Sequence, residues 1–414
     1  MLSTNPNEVA PQQRFIFARV FIVIGFIGAG LFSGWLFLYR LIAQLYCFYT
    51  AKSTMYRIGC LLIIALFAGI SRTEAQPLTT YTNLQNQVMI WDNGILRKVD
   101  YLPPTEIRIG RSSIAYLDNS RSFKIYYGGG VRTLNAGFTN AFRTSDNLTI
   151  FLNAKSLNVF DRGVVKNLSL LAEEYYLGDS LVVFLDGVRS EYKAYYNGKI
   201  YPVESFLAGD ALRGIKVSDN IAAYNNYARQ FHIFYEGNNI TQEEYQARDF
   251  EVGRNTVAYL DAGNIFKIFH NGKTITAENF PPVSYTAGDN VVAYISNDGY
   301  FKIYYGDSIY NFGYFRPEFQ VGDNVVAFRD AGGYFKVFYK GEITQLDSYY
   351  PENYIVQYNS LVYLSRARVL RMFSAGEVYD VTSGDFEGME LNYDVLRYRI
   401  GENIYRIFYK GEEN

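Results

Sequence analysis

Four acidic residues stand at corresponding places in a chain of 414 residues: Glu106, Glu174, Asp249 and Glu318. Each immediately precedes a short apolar stretch that reads as a strand near a common axis. Two carboxylates that converge there could cleave a glycosidic bond, one as acid and one as nucleophile or base, at a separation of roughly 5–10 Å. Tyr176 and Tyr350 lie in the same variable connections. With the four acids they are the candidate binding residues. The plainer alternative for the acids is solvated loop charge.

Other chemistry is sparse. His232 and His270 are the two histidines, and they lack the local spacing of metal ligands. The cysteines, Cys47 and Cys60, both lie in the first 75 residues. No phosphate-binding loop, nucleophile elbow or cysteine nucleophile is present. No catalytic residue, metal or cofactor is therefore expected. Lys and Arg (39) nearly match Asp and Glu (41), which argues against nucleic acid as a partner. Tyr (39) and Phe (31) dominate the aromatic inventory and favour strands.

The elements that position these residues recur. The segment from Arg254 to Gly272 repeats, with substitutions, from Asp323 to Gly341. Units begin at Gln76, Arg111, Asp146, Asp179, Asp219, Arg254, Asp289, Asp323, Tyr358 and Tyr393. Each holds an apolar strand ending in an aromatic, such as Val257-Ala258-Tyr259. A turn follows, then a strand such as Phe266-Lys267-Ile268-Phe269. Asn93-Gly94, Asn197-Gly198 and Asn271-Gly272 come next, and they suit a type I′ hairpin turn. A third strand and a short fourth complete the unit.

Four short antiparallel strands per unit predict an all-β fold, a β-propeller of four-stranded blades. The expected count is about nine, within a range of eight to ten. Ile95–Val99 is expected to pair with the last unit and close the ring, leaving 79–91 as extra strands. A tandem pair of smaller propellers and a β-solenoid are the alternatives. The pattern Val-Ala-Tyr, loop, Phe-Lys-Ile-Tyr, Gly resembles the WD-like repeats of exported bacterial propellers of the Tol-Pal type. That resemblance covers residues 76–414.

Two further series recur in phase. Cations follow the aromatic of one strand: Lys124, Lys193, Lys267, Lys302, Lys336, Arg371 and Arg406. They are expected to pair with carboxylates such as Asp118, Asp261 and Asp330. Tyr116, Tyr224, Tyr259, Tyr294, Phe328 and Tyr363 are expected between blades. The repeats read as regular, with no repeat-breaking His, Asp or Arg cluster.

The amino end differs in kind. Val20 to Tyr39 is an uncharged apolar run long enough to span a bilayer. Ile58 to Ile70 follows Arg57 and precedes Thr73-Glu74-Ala75, the layout of a signal peptide. The reading divides the chain into a hydrophobic extension over 1–54 (either an over-extended start before Met55 or a membrane span over 20–39), a signal peptide over 55–75 cut after Ala75, and a repeat domain over 76–414. Residues 1–75 hold six basic and two acidic residues, so the remainder holds 33 basic and 39 acidic. The expectation is an exported scaffold of the periplasm, cell envelope or exterior. It would bind an envelope protein or glycan through loops on one face. Membrane contact would come only through the amino-terminal segment. The alternative is a glycan hydrolase using the loop carboxylates.

Overall fold

The computed structural model describes residues 77–135, 139–205 and 212–413. The hydrophobic extension and the signal-peptide reading lie outside the described residues. Among the described residues no helix is long and apolar enough to cross a membrane.

The strands fall into ten consecutive antiparallel sheets. We call them blades 1 to 10, spanning 78–100, 106–135, 141–169, 172–205, 213–243, 249–278, 284–314, 319–347, 354–382 and 388–413. Blades 2 to 10 have four strands in sequence order; blade 1 has three among the described residues. The first strand of a blade contacts the first strand of the next, as Asp249–Gly253 does with Ser284–Gly288. These first strands therefore surround the axis. Turns between first and second strands, and between third and fourth, share one face. The remaining connections share the other, here called the loop face.

Local sequence explains each blade. Second strands such as Val257-Ala258-Tyr259 are buried on both sides, so they read as continuous apolar runs. Asn93, Asn197 and Asn271 take φ of 46°, 46° and 49°, each followed by a glycine in the same region. These are the expected type I′ turns. At the end of the first strand the glycine is required by packing. A Cβ on Gly253 would sit 1.9 Å from the carbonyl oxygen of Gly288 in the next blade.

The core is a series of clusters between blades. One joins Ile221, Ala223 and Ile233 of blade 5 to Phe250, Val257 and Tyr259 of blade 6. Tyr116, Tyr224, Tyr259, Tyr294, Phe328 and Tyr363 are fully buried, as expected. Each such side chain contributes roughly 2–3 kcal/mol by leaving water.

Ring closure differs from the strand exchange the sequence suggested. Ile95–Asp100 pairs with Val88–Asp92 of its own blade, and the last blade has its own short fourth strand, Glu412–Glu413. Residues 79–91 are not surplus; they form most of blade 1. Ten blades result, the upper end of the expected range, in place of the nine that exchange required. Blades 1 and 10 meet instead through side chains. Trp91 packs with Val395 and Ile407, and edge-on to Tyr409 at 5.5 Å.

Candidate functional site

The loop face is built from the variable connections. Exposed apolar side chains recur on it: Tyr101, Leu170, Tyr245, Phe280, Tyr314 and Tyr349 all stand more than half exposed. A soluble surface seldom gathers aromatics this way without a use for them.

The four candidate carboxylates lie on this face at or near the start of first strands, on blades 2, 4, 6 and 8. Three of the carboxylates engage a local partner. Glu106 pairs with Arg108 at 2.8 Å. Glu174 accepts from the Tyr176 and Tyr192 hydroxyls at 3.1 and 3.0 Å. Asp249 accepts from Tyr285 of the next blade at 2.6 Å. Glu318 accepts the Arg329 backbone N–H at its carbonyl, 3.2 Å away. Among the described residues no hydrogen bond or ion pair joins any two of the four. Tyr176 packs into the cluster between blades 4 and 5.

Tyr350 lies in a concavity of the loop face. It is a groove of about 660 Å³ running from blade 8 across blade 9 to blade 10. Tyr349, Tyr350, Pro351, Arg366, Arg368, Phe386 and Met389 line it. Arg366 sits 4.2 Å from the centroid of the Tyr349 ring. The Tyr350 and Tyr354 hydroxyls bond at 2.7 Å, and burial pushes the Tyr350 phenol up. Volume and aromatic lining match ligand-binding clefts. Sequence reading found Tyr350 but not Arg366, Arg368, Phe386 or Met389. The signal for Arg366, Arg368 and Phe386 was their place in connections that vary from unit to unit; Met389 lies at the start of the first strand of blade 10.

The recurring cations are paired, as expected. Lys124 bridges Asp100 and Asp118 at 2.9 Å each, and Lys267 bridges Glu243 and Asp261 at 2.8 and 3.0 Å. Lys336 pairs with Asp330 at 2.6 Å. Hydrogen bonds from Lys124 and Ser120 hold the Asp118 carboxyl down at about 2 against the desolvation that opposes them. The histidines are separate and structural. His232 stacks on Tyr224 and meets Asn226 at 3.0 Å. Burial lowers its pKa. His270 meets the Tyr304 hydroxyl at 3.0 Å. No metal-holding group of His, Cys, Asp and Glu occurs among the described residues.

The opposite face overturns the reading of featureless repeats. The first residues of the units converge near the axis. Asp146, Asp179, Asp219, Asp289 and Asp323 meet Arg111, Arg254, Tyr358 and Tyr393. Arg254 pairs with the buried carboxylate of Asp219. Desolvation raises Asp146 to about 7, Asp179 and Asp289 to about 6, and Asp323 to about 9, with neighbouring aspartates adding to the rise. Beside this cluster the next residues form a ladder between blades. Asn220 donates to Asn255 at 2.6 Å, Asn255 to Asn290 at 3.0 Å, Asn290 to Asn324 at 3.1 Å and Asn324 to Asn359 at 3.2 Å. The signal was present in the series of unit starts, where Arg and Tyr interrupt a run of Asp.

Ten such sheets about one axis define a β-propeller. A model of the 10-bladed β-propeller domain matches residues 72–414, and the chain belongs to that family. No curated protein matches it. Among solved structures, the computationally designed Ika8 protein is 14% identical with a TM-score of 0.31, over 66% of this chain and 96% of its own. The CRINKLY WD40 ectodomain of the Arabidopsis thaliana receptor kinase ACR4 is 12% identical with a TM-score of 0.30, over 58% and 96%. Prp20p from Saccharomyces cerevisiae, a protein described with its binding to Gsp1p and histones, is 9% identical with a TM-score of 0.30, over 58% and 82%.

Proposed function

We propose that this propeller is an exported interaction scaffold that holds a protein or glycan of the cell envelope on its loop face. The groove of Tyr349, Tyr350, Arg366, Arg368 and Phe386 carries the reading. It joins flat aromatic surface to two exposed guanidinium groups, a combination that recognises polar chains with apolar patches. The lack of cysteine after Ala75 and the signal-like segment 55–75 support export. The rigid ring supplies position, and the variable connections supply specificity.

The test is binding of the purified protein to isolated envelope glycan and to envelope protein extract. It compares the wild type with a Tyr349→Ser, Arg366→Ala, Phe386→Ser variant of unchanged melting temperature. A loss of tenfold or more in affinity is expected, without glycan cleavage by either form. Equal binding by wild type and variant overturns the groove as the site. Cleavage abolished by Glu106→Ala, Glu174→Ala, Asp249→Ala or Glu318→Ala would replace the scaffold by a hydrolase.

A further inference from the structure

The loop-face groove has a neighbour of the same build. A concavity of about 240 Å³ lies one blade earlier, lined by Phe315, Arg316, Pro317, Glu318 and Arg329 among others. Both concavities use the same two parts of the repeat. These are the connection that enters a blade and the turn between that blade's second and third strands. The entering connections read Phe315-Arg316-Pro317-Glu318 for blade 8 and Tyr349-Tyr350-Pro351-Glu352 for blade 9. An aromatic followed by Pro-Glu thus recurs in successive blades. The Tyr350 phenol of the groove feels the charges of Glu318 and Arg329, so the two concavities adjoin there.

Each concavity also holds two arginines, and some of these break the repeat. Arg329 ends the second strand of blade 8 opposite Phe335. Blades 2, 6, 7 and 9 have Leu117, Leu260, Ile295 and Leu364 at that register. In blade 9 the turn is Ser365-Arg366-Ala367-Arg368, closed by the Arg368 N–H donating to the Ser365 carbonyl at 2.9 Å. The turns of blades 2, 6 and 8 close in the same way and begin with Asp118, Asp261 and Asp330. Their second residues are Asn119, Ala262 and Ala331. The blade 9 turn has therefore exchanged a carboxylate for a hydroxyl and added a cation, both at the groove.

The charge of the lining follows. Asp330 is neutralised by Lys336 at 2.6 Å and Asp347 by Arg371 at 3.6 Å. Arg316, Arg329, Arg366 and Arg368 are exposed, and among the described residues no carboxylate pairs with them. Only Glu318 and Glu352 remain to offset them, so positive charge is in excess here. The repeat domain as a whole is acidic, with 33 basic and 39 acidic residues after residue 75. A guanidinium fork suits a carboxylate. The negative face of an aromatic ring suits the C–H face of a sugar. Glu318 and Glu352 only accept hydrogen bonds when ionised, which suits sugar hydroxyls. One such subsite fits one acidic sugar, and two in succession fit a polymer that repeats it. An acidic peptide would use the arginines but be repelled by the two glutamates.

We propose that the loop face holds an anionic polysaccharide of carboxylate-bearing sugars, laid across blades 7 to 10. Arg316 and Arg329 hold one sugar carboxylate, and Arg366 and Arg368 hold another. This names the ligand class of the groove described above and rests on that groove being the binding site.

The test is titration of the full chain with oligogalacturonate, as dimer and octamer, with the fully methyl-esterified octamer and with polyglutamate. The octamer is expected to bind at least tenfold more tightly than the dimer, because it engages both subsites. It should also bind at least tenfold more tightly than the neutral ester or polyglutamate. Arg316→Gln combined with Arg329→Leu, which restores the residue of blades 2, 6 and 9, should abolish the gain of octamer over dimer. Equal binding of the ester overturns the anionic class, and equal binding of polyglutamate overturns the saccharide. A length gain that survives the double variant overturns the paired subsites. If no oligogalacturonate binds while Tyr349→Ser, Arg366→Ala, Phe386→Ser still loses envelope binding, the ligand class falls and the groove stands. If that triple variant binds envelope material and oligogalacturonate as the wild type does, the groove itself falls.

Discussion

Arg111 and Tyr358 stand 247 residues apart in the chain and touch near the propeller axis. The guanidinium donates to the phenol oxygen and lies 4.4 Å from the ring centroid. The contact reaches from blade 2 to blade 9, past blades 10 and 1. Side chains rather than strands therefore span the centre on this face. Tyr393, 5.7 Å from the Tyr358 ring, extends the same span.

Arg254→Ala should destabilise the protein by about 2–3 kcal/mol in denaturant titration, since it strands the Asp219 carboxylate, which is 2% exposed. The value is set below that of a fully buried pair because Arg254 is 39% exposed. Arg254→Lys keeps the charge but loses the fork, and should recover part of that loss. A silent Arg254→Ala would show that the pair contributes nothing.

The axial carboxylates give stability a definite pH slope. Asp146, Asp179, Asp289 and Asp323 hold protons in the folded state above the pH at which the unfolded chain releases them. They face Asp219, Arg111, Arg254, Tyr358 and Tyr393. Their raised values mean stability falls as pH rises from about 4 through 6 to 9. Asp118, Asp186, Asp261 and Asp330 are lowered, so their contribution is complete above about pH 4 and lost as pH falls through their folded values. The melting temperature should therefore peak near pH 4–5. Asp323→Asn should flatten the decline toward pH 9; an unchanged slope would remove Asp323 as its source.

The asparagine ladder can be separated from the backbone it occupies. Asn290 has φ of 59° and bonds to both neighbours. Asn290→Gly keeps the left-handed turn and should cost about 1 kcal/mol for the lost bonds. Asn290→Ala should cost about 1 kcal/mol more, since a Cβ is strained there. Equal midpoints for the two variants would mean that backbone strain plays no part.

Trp91→Ala should cost about 3–5 kcal/mol, because it empties the contact between blades 1 and 10. Deleting 393–414 removes the partners of Trp91 and should lower the melting temperature at least as far. A truncated chain that melts like the intact one would show that closure lies elsewhere.

Most of the blade was legible because its signals are local. Continuous apolar second strands, Asn-Gly turns and bridges such as Lys336–Asp330 all arise within one unit. The closure was not, because pairing Ile95–Asp100 with the last blade and pairing it with Val88–Asp92 satisfy the same strand pattern; the packing of Trp91 favours the second. The axial cluster was missed for a different reason. Arg111, Asp146 and Tyr393 sit in separate units and become neighbours only when ten repeats bend into a ring. The loop-face groove shares this property, since Tyr349, Arg366 and Phe386 come from three different connections.

Pro77 occupies the turn position that Asn255 and Asn290 hold in blades 6 and 7. There the backbone N–H of Asn290 donates to the Arg254 carbonyl of the adjoining blade. Proline has no N–H to give. The turn of blade 1 therefore cannot give the backbone bond that Asn290 gives, a weakness written in sequence rather than set by where the chain ends. A circular permutant opened at Asn271-Gly272, with its old termini joined, would move the free ends but leave the weak junction at Pro77. Such a protein would still begin to come apart between blades 10 and 2, and the run from blade 5 to blade 9 would be the last to separate.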